Sequence, residues 1–478
     1  MADDLAFLDA TAQAEMVRRG EVSPRELVDA AIARIERLNP QLNAVIHTLF
    51  DKAQAAADHA PAGPFRGVPY ILKDGLSHSA GDPHHEGMRF LRDANWVEPE
   101  DTFVVARLRA AGFIFCGKSN LPELATANTT EPLAYGPTHN PWDLARSPSG
   151  SSGGSAAAVA SGMVAAAHGT DMGGSIRTPA SCCGLVGLKP SRGRSSLGPD
   201  HGEYWGPVTH QHALTRTVRD CAAILDVICG ASPGDPYTAP PPSRPFAAEV
   251  GADPGGLRVA VRTMRFGGGA DSHPDCVAAV SATAQRLQSL GHRVGWASID
   301  ALDDPAGTQG FVTVLSSAVA RDLDRWGARV GREITEADVE PLNWLMASGG
   351  RAITAVQYVE ALETMQAYAR KVAAAMSGFD ILVTPTLPEP PFPLGELRGD
   401  APDLFAVLAR MGDLATFTVP FNITGQPAVS LPVHWNDDGL PIGVQLVAHY
   451  GREDLLLRVA AQLEEAVGWT SRRPAVHA

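Results

Sequence analysis

Short apolar runs alternate with segments of helical period along most of the chain. Residues 9 to 19 place apolar positions at helical spacing. Ser23-Pro24-Arg25-Glu26 then reads as a capping box with proline at the first helical position. The pattern carries that helix to about Leu38, where Asn39-Pro40 is expected to stop it. Val68 to Leu72 predicts a buried strand, 101 to 111 a helix, and 113 to 116 another strand. Residues 152 to 161 predict a helix of small side chains, able to lie very close to a neighbouring element. Val164 to Ala167 predicts a buried strand that feeds a turn at Asp171-Met172-Gly173-Gly174-Ser175. Further on, 257–261, 292–296, 380–384, 428–431 and 442–447 read as strands, 274–290 as a helix, and most of 315–375 as helical. Strands alternating with helices predict an α/β sheet covered by helices on both faces.

Residues 230 to 256 are rich in proline and glycine and have no period, so they read as a surface linker. No internal repeat or low-complexity tail is visible. At 478 residues, 45% hydrophobic and 19% charged, the composition is that of a globular chain with a large core. The formal net charge of −14 argues against nucleic acid and anionic membrane as partners, because both require a basic surface. Met1-Ala2-Asp3-Asp4 is acidic where a secretory signal is basic, and no run approaches 18 apolar residues. The expected location is the cytoplasm. The six cysteines, Cys116, Cys182, Cys183, Cys221, Cys229 and Cys276, form neither a disulfide framework nor a zinc spacing. Five read as buried thiols; Cys276, which opens an amphipathic helix, is expected to be partly exposed.

Two motifs carry candidate chemistry. The first is the turn ending in Ser175. Its glycines let the backbone fold tightly, so that the N–H groups of Met172, Gly173, Gly174 and Ser175 form a cradle for an oxyanion. Taken alone, this also fits an ordinary N-cap serine. The second is Lys73, ending the Val68–Leu72 run, where desolvation would lower its pKa and make the neutral amine available as a base. Taken alone, it also fits a surface lysine or an ion pair with Asp74. Between them lies Gly150-Ser151-Ser152-Gly153-Gly154, which can place a hydroxyl between lysine and nucleophile to relay a proton. It lacks the Lys-Ser/Thr ending of a phosphate-binding P-loop. A lipase-type elbow is absent around Ser175, and His168, in the same strand, reads as a core residue. His84-His85-Glu86 with Asp82, and His201, His210 and His212, are candidate metal ligands without a metal-site spacing, so no metal or other cofactor is expected. Cys182 and Cys183 sit in an apolar stretch and read as core.

Lys73, the Gly-Ser-Ser-Gly-Gly segment, Gly169 to Arg177, and Gly184-Leu185-Val186-Gly187-Leu188-Lys189-Pro190 together resemble the amidase signature family. The likeness continues through Pro420 to Pro427 and Gly439 to Gln445, and it is strongest to bacterial amidases that act on cyclic amide dimers. The resemblance implies one amidase domain over 1–478 built on a large, mixed, twisted sheet. An N-terminal helical segment would run to about 60 and the signature core from 61 to 230; after the linker, a C-terminal α/β part with a helical insertion would fill 257–478. It implies a Ser–cis-Ser–Lys triad, with Ser175 as nucleophile, Ser151 as the cis-serine 24 residues earlier, and Lys73 as base. Ser152, Asp171 and Arg177 would support it, the last two as a pair bracing the turn. The expected reaction is hydrolysis of small neutral amides, anilides, cyclic or linear amide oligomers or carbamates through an acyl-enzyme, with ester cleavage as a side activity. Leu124, Ala125, Thr126, Ala127, Asn128 and Leu315 are the expected substrate wall, with 82–96 as a second variable region. The partner would be a small-molecule substrate, and a homodimer is compatible with the reading. Two alternatives remain: a glutaminase subunit of a tRNA-dependent amidotransferase, and a catalytically silent binding protein on the same fold.

Overall fold

The computed structural model describes residues 5–478; the acidic start, Met1 to Asp4, lies outside the described residues. Eleven strands form one sheet. In chain order they are β1 (Val45–Thr48), β2 (Pro69–Lys73), β3 (Ile114–Ser119), β4 (Ala166–Asp171), β5 (Val186–Lys189), β6 (His210–Thr215), β7 (Arg258–Val261), β8 (Arg293–Trp296), β9 (Ile381–Pro385), β10 (Ala428–Trp435) and β11 (Pro441–Ala448). Their spatial order is β1-β3-β2-β4-β6-β5-β10-β11-β9-β7-β8. Parallel pairs join β3, β2 and β4 on one side and β9, β7 and β8 on the other, with antiparallel pairs between and at the β1 edge. The sheet is therefore mixed. The irregular 230–256 stretch connects two parts of this same sheet.

Period-two alternation sends the two faces of β2 to different cores. Tyr70 and Leu72 pack with Val105 and Leu225, from the helices Phe103–Ala110 and Val218–Ile228. Ile71 packs on the other face with Ala156 to Val159, from the small-residue helix Gly153–Ala160. Lys73 shares the Ile71 parity, so the same alternation sends it toward the segment that opens that helix. A third core lies beneath the helices Ala306–Val330, Pro341–Arg351 and Ala355–Ala375, where Phe311, Val314 and Leu323 meet Met172 and Trp205. No helix among the described residues is long and apolar enough to cross a membrane.

Several local expectations change. The second helix runs from Pro24 through Pro40 to Leu42. Asn39 Oδ1 accepts the N–H groups of Ala44 and Val45, both at 2.8 Å, and Asn43 closes the helix in a left-handed conformation. The proline is absorbed in a last turn whose end is capped by side-chain hydrogen bonds. Cys276 is buried, because it lies on the inward face of the helix Pro274–Ser289 with Ala279, Val280 and Leu287; Cys229 is the half-buried cysteine. Strands β1, β5 and β6 had no strand signal of their own. In β6, His210, Gln211 and His212 are buried although polar, so hydropathy hides the strand.

Candidate active site

Lys73 ends β2 with no exposed surface. Its Nζ donates to Ser151 Oγ at 2.6 Å, Thr170 Oγ1 at 2.8 Å and Ser152 Oγ at 3.1 Å. Burial in this uncharged hydroxyl nest pushes the lysine pKa down to about 7, against the opposing pull of the nearby Asp171 carboxylate. The ion pair with Asp74 does not form. That carboxylate belongs to a separate cluster with Lys118, at 3.1 Å, and His47, at 3.2 Å.

The peptide bond between Gly150 and Ser151 is cis. Gly150 is packed so tightly that an added Cβ would lie 2.1 Å from the Thr129 carbonyl oxygen. The small-residue helix begins at Gly153, and the turn that opens it holds the Ser151 and Ser152 hydroxyls against Lys73. Ser152 N–H also donates to the Ser175 carbonyl at 3.2 Å, tying the two serine segments together. A hydrogen bond between the Ser151 and Ser175 hydroxyls is not formed in this structure.

Strand β4 delivers the turn that ends at Ser175. Gly174 adopts φ 134°, and a Cβ there would fall 2.5 Å from Thr418 Oγ1, so only glycine fits. The turn is organised around Asp171, which is fully buried. Its Oδ1 accepts from Gly174 N–H at 2.8 Å, Arg177 Nη2 at 2.9 Å and Asn422 Nδ2 at 2.8 Å. Its Oδ2 accepts from Arg177 Nε at 2.9 Å and Ile176 N–H at 3.2 Å. The Arg177 charge and these donors hold the carboxyl far below the usual range despite its burial. Arg177 in turn donates to Gln445 Oε1 at 2.7 Å and Asn422 Oδ1 at 2.6 Å. The two distant C-terminal motifs thus converge on the turn. One expected cradle donor, the Gly174 N–H, is already taken by Asp171, which leaves those of Met172, Gly173 and Ser175.

Ser175 is 9% exposed, and that exposure opens into a cavity of about 730 Å³. Met172, Gly173 and Ser175 line one side, and Ala125, Thr126, Ala127 and Asn128 another. The opposite wall is the Ala306–Val330 helix, which presents Thr308, Phe311, Val312 and Leu315 at spacings of three, one and three. Trp205, Phe266 and Val419 complete an apolar interior.

This constellation joins a desolvated lysine, two hydroxyls, a backbone cradle and an apolar cavity on one mixed sheet. The family model described as Amidase matches residues 26–457. The chain belongs to the amidase family.

Among the relatives of this amidase is 6-aminohexanoate-cyclic-dimer hydrolase from Pseudomonas sp. (strain NK87). It is 46% identical over 475 residues, covering 98% of this chain and 96% of the relative. The solved structure of a 6-aminohexanoate cyclic dimer hydrolase superposes with a TM-score of 0.95 at 44% identity, covering 98% of this chain and 99% of the other. A glutamyl-tRNA(Gln) amidotransferase component from Synechococcus sp. (strain CC9902) is 34% identical over 507 residues, covering 98% of this chain and 99% of the relative.

Of the residues expected in the substrate wall of this amidase, some line the cavity and others do not. Ala125 to Asn128 and Leu315 line the cavity. Leu124 does not: a left-handed backbone, φ 54°, turns it into a small adjoining void with Gly75, Leu76 and Thr170. No residue of 82–96 lines the cavity. That segment is instead clamped beneath the Ala306–Val330 helix, where Trp326 Nε1 donates to Glu86 at 3.0 Å and the Arg329 guanidinium lies 4.9 Å over the Trp96 ring; just beyond the segment Arg329 pairs with Glu98 at 2.6 Å. The missed wall residues Phe311 and Val312 share a helix face with Leu315, so their spacing was a usable signal.

His168 is buried with its Nε2 3.2 Å from Gln211 Oε1, and burial beside Lys73 pushes its pKa down to about 3. The Cys182 and Cys183 thiols are buried and pushed up, and so are held neutral. Among the histidines weighed as metal candidates, His84, His201, His210 and His212 do not gather into one site. His84 Nε2 meets Glu86 at 3.2 Å, His201 Nε2 meets Arg325 at 2.8 Å, and His210 Nε2 meets Lys189 at 3.3 Å. His212 sits buried within β6.

Proposed function

We propose that this amidase hydrolyses small neutral amides through an acyl-enzyme formed on Ser175. The observation that carries the reading is the buried Lys73 amine, its pKa near 7, 2.6 Å from the Ser151 hydroxyl and beside a cavity floored by Ser175. Neutral Lys73 takes the Ser151 proton as Ser151 takes that of Ser175. The Ser175 oxygen bonds to the amide carbon, and the carbonyl electron pair moves to oxygen. The N–H groups of Met172, Gly173 and Ser175 stabilise that oxyanion. Collapse breaks the C–N bond, and the proton held by Lys73 returns through Ser151 to the leaving nitrogen. Water repeats the sequence on the ester, releasing the acid and restoring Ser175. Esters, with a better leaving group, would be cleaved as a side reaction.

The substrate reading rests on the wall. Its interior is apolar, and its charged members are paired: Arg265 with Asp413 at 3.1 Å, and Asp304 with Lys371 at 2.8 Å. Among the described residues the lining cation, Arg265, is already engaged by Asp413 through Nη1, which weakens its pull on a free carboxylate. This favours neutral anilides, carbamates, and linear or cyclic amide oligomers, in line with the relative named for a cyclic dimer. It disfavours glutamine, and with it the tRNA-dependent amidotransferase reading that the 34% identical relative raises. Labelling with a fluorophosphonate probe tests the proposal against a silent binding protein. A single adduct on Ser175, blocked by a neutral anilide, is the expected result; an unlabelled protein would overturn it.

A further inference from the structure

Beyond the end of β2, away from Lys73, three potential metal ligands meet that are remote in sequence. His47 lies on β1, Asp74 directly follows β2, and His85 lies in the clamped 82–96 segment. One ligand atom from each lies within 4.8 Å of the other two. Asp74 and His85 are buried, and the His47 side chain is 10% exposed.

Hydrogen bonding assigns these atoms unequal tasks. Asp74 Oδ1 faces Lys118 Nζ at 3.1 Å and His84 Nδ1 at 3.6 Å. Asp74 Oδ2 faces His47 Nε2 at 3.2 Å and accepts the His85 backbone N–H at 3.0 Å. His85 Nδ1 hydrogen-bonds the Tyr135 hydroxyl, while its Nε2 is buried with no partner at all. A buried ring nitrogen left bare is costly unless something binds it. In the tautomer that donates Nδ1–H to Tyr135, Nε2 presents a lone pair, the arrangement in which an outer hydrogen bond fixes a metal-binding histidine. The His47 and His85 rings stand edge to face, with centroids 4.6 Å apart, and an ion between them would need both nitrogens and Oδ2 drawn in to about 2.0–2.2 Å.

We infer that His47, Asp74 and His85 form a binding site for one borderline divalent transition-metal ion, such as Zn2+ or Co2+, separate from the Lys73–Ser151–Ser175 centre. Two imidazoles and one carboxylate suit that class of ion and not the all-oxygen preference of Mg2+ or Ca2+. Lys118 occupies Oδ1; at Oδ2 an ion would replace the direct His47 contact and leave the His85 N–H bond in place, though the Lys118 charge lowers the affinity. Lys73 and Asp74 diverge from successive positions, so the ion would touch none of the reacting groups.

The test is to strip the full-length protein with EDTA, titrate it with Co2+ and follow the visible d–d band. A one-to-one band, displaced by Zn2+ and retained in Ser175→Ala, is expected. His47→Ala and His85→Ala should abolish it, and Tyr135→Phe should weaken binding by about 10–100-fold. No band in the wild type, or an unchanged band in His47→Ala, overturns the inference. Should the histidine variants not fold, wild-type crystals soaked in Zn2+ decide the matter. An anomalous peak between the three side chains supports the site, and its absence refutes it.

Discussion

Asp171 and Arg177 form a fully buried, two-pronged ion pair, with Nε–Oδ2 and Nη2–Oδ1 both at 2.9 Å. The pair holds the turn carrying Ser175 and ties it to Asn422 and Gln445. Removing one partner leaves a buried charge uncompensated, which costs about 3–5 kcal/mol. Arg177→Met should therefore lower unfolding stability by that amount in denaturant titrations. A loss below about 1 kcal/mol would show that the turn is held by other contacts.

Ser175→Ala should abolish amide hydrolysis while leaving the fold intact, since Ser175 contributes a hydroxyl at a cavity wall and no side-chain hydrogen bond of the core. Circular dichroism and turnover of a neutral anilide check the two halves together. Near-normal turnover would remove Ser175 from the nucleophile role.

Lys73 sets the pH profile. Its pKa near 7 means that the amine becomes neutral as pH rises through that value, so kcat/KM should climb and level off at mildly alkaline pH. Lys73→Ala should lose more amidase than esterase activity, because the poorer leaving group depends more on proton delivery. Equal loss on amide and ester would assign Lys73 a different task.

The same group predicts a stability effect of defined sign. The Lys73 pKa is lowered from 10.5 to about 7 on folding, so between those values the unfolded chain binds more protons and stability rises with pH. Below about 7 the charge must be carried in the folded interior, and its destabilisation is fully present. The change in Tm caused by Lys73→Met should thus be more favourable at pH 6 than at pH 9. A pH-independent change would mean that the lysine is not desolvated.

The cavity wall should control selectivity without touching reactivity. Leu315→Ala removes an apolar contact from the Ala306–Val330 face and should reorder neutral substrates by about 1–3 kcal/mol in kcat/KM, as should changes at Thr126. Labelling of Ser175 by a small probe should persist in both. Glutamine should be a poor substrate for the wild type. If glutamine is cleaved best and neutral amides hardly at all, the tRNA-dependent amidotransferase reading replaces the present one.

Much of this was legible in the chain itself. Apolar runs located eight of the eleven strands; apart from the largely exposed β8, these are mostly buried on both faces and so nearly continuously apolar. The Gly150–Gly154 and Asp171–Arg177 motifs named their own residues, since tight turns and close approaches restrict sequence locally. Where hydropathy and burial part company, the reading failed: β6 is buried yet polar, and Cys276 faces inward from a helix end. Leu124 was misplaced because a left-handed leucine leaves no signature in sequence.

The sequence alone determined the α/β class, the family and the identity of Lys73, Ser151 and Ser175 as candidates, all of which depend on local pattern. Tertiary structure alone decided that Asn422 and Gln445 reach Arg177, and that the Gly174 N–H goes to Asp171. It also decided that residues 82–96 sit under a helix instead of over the cavity, and that His47 meets Asp74 and His85. Each of these joins groups far apart in the chain or chooses one partner among several. Such choices follow from the packing of whole elements, which determines the partners a buried polar group can reach.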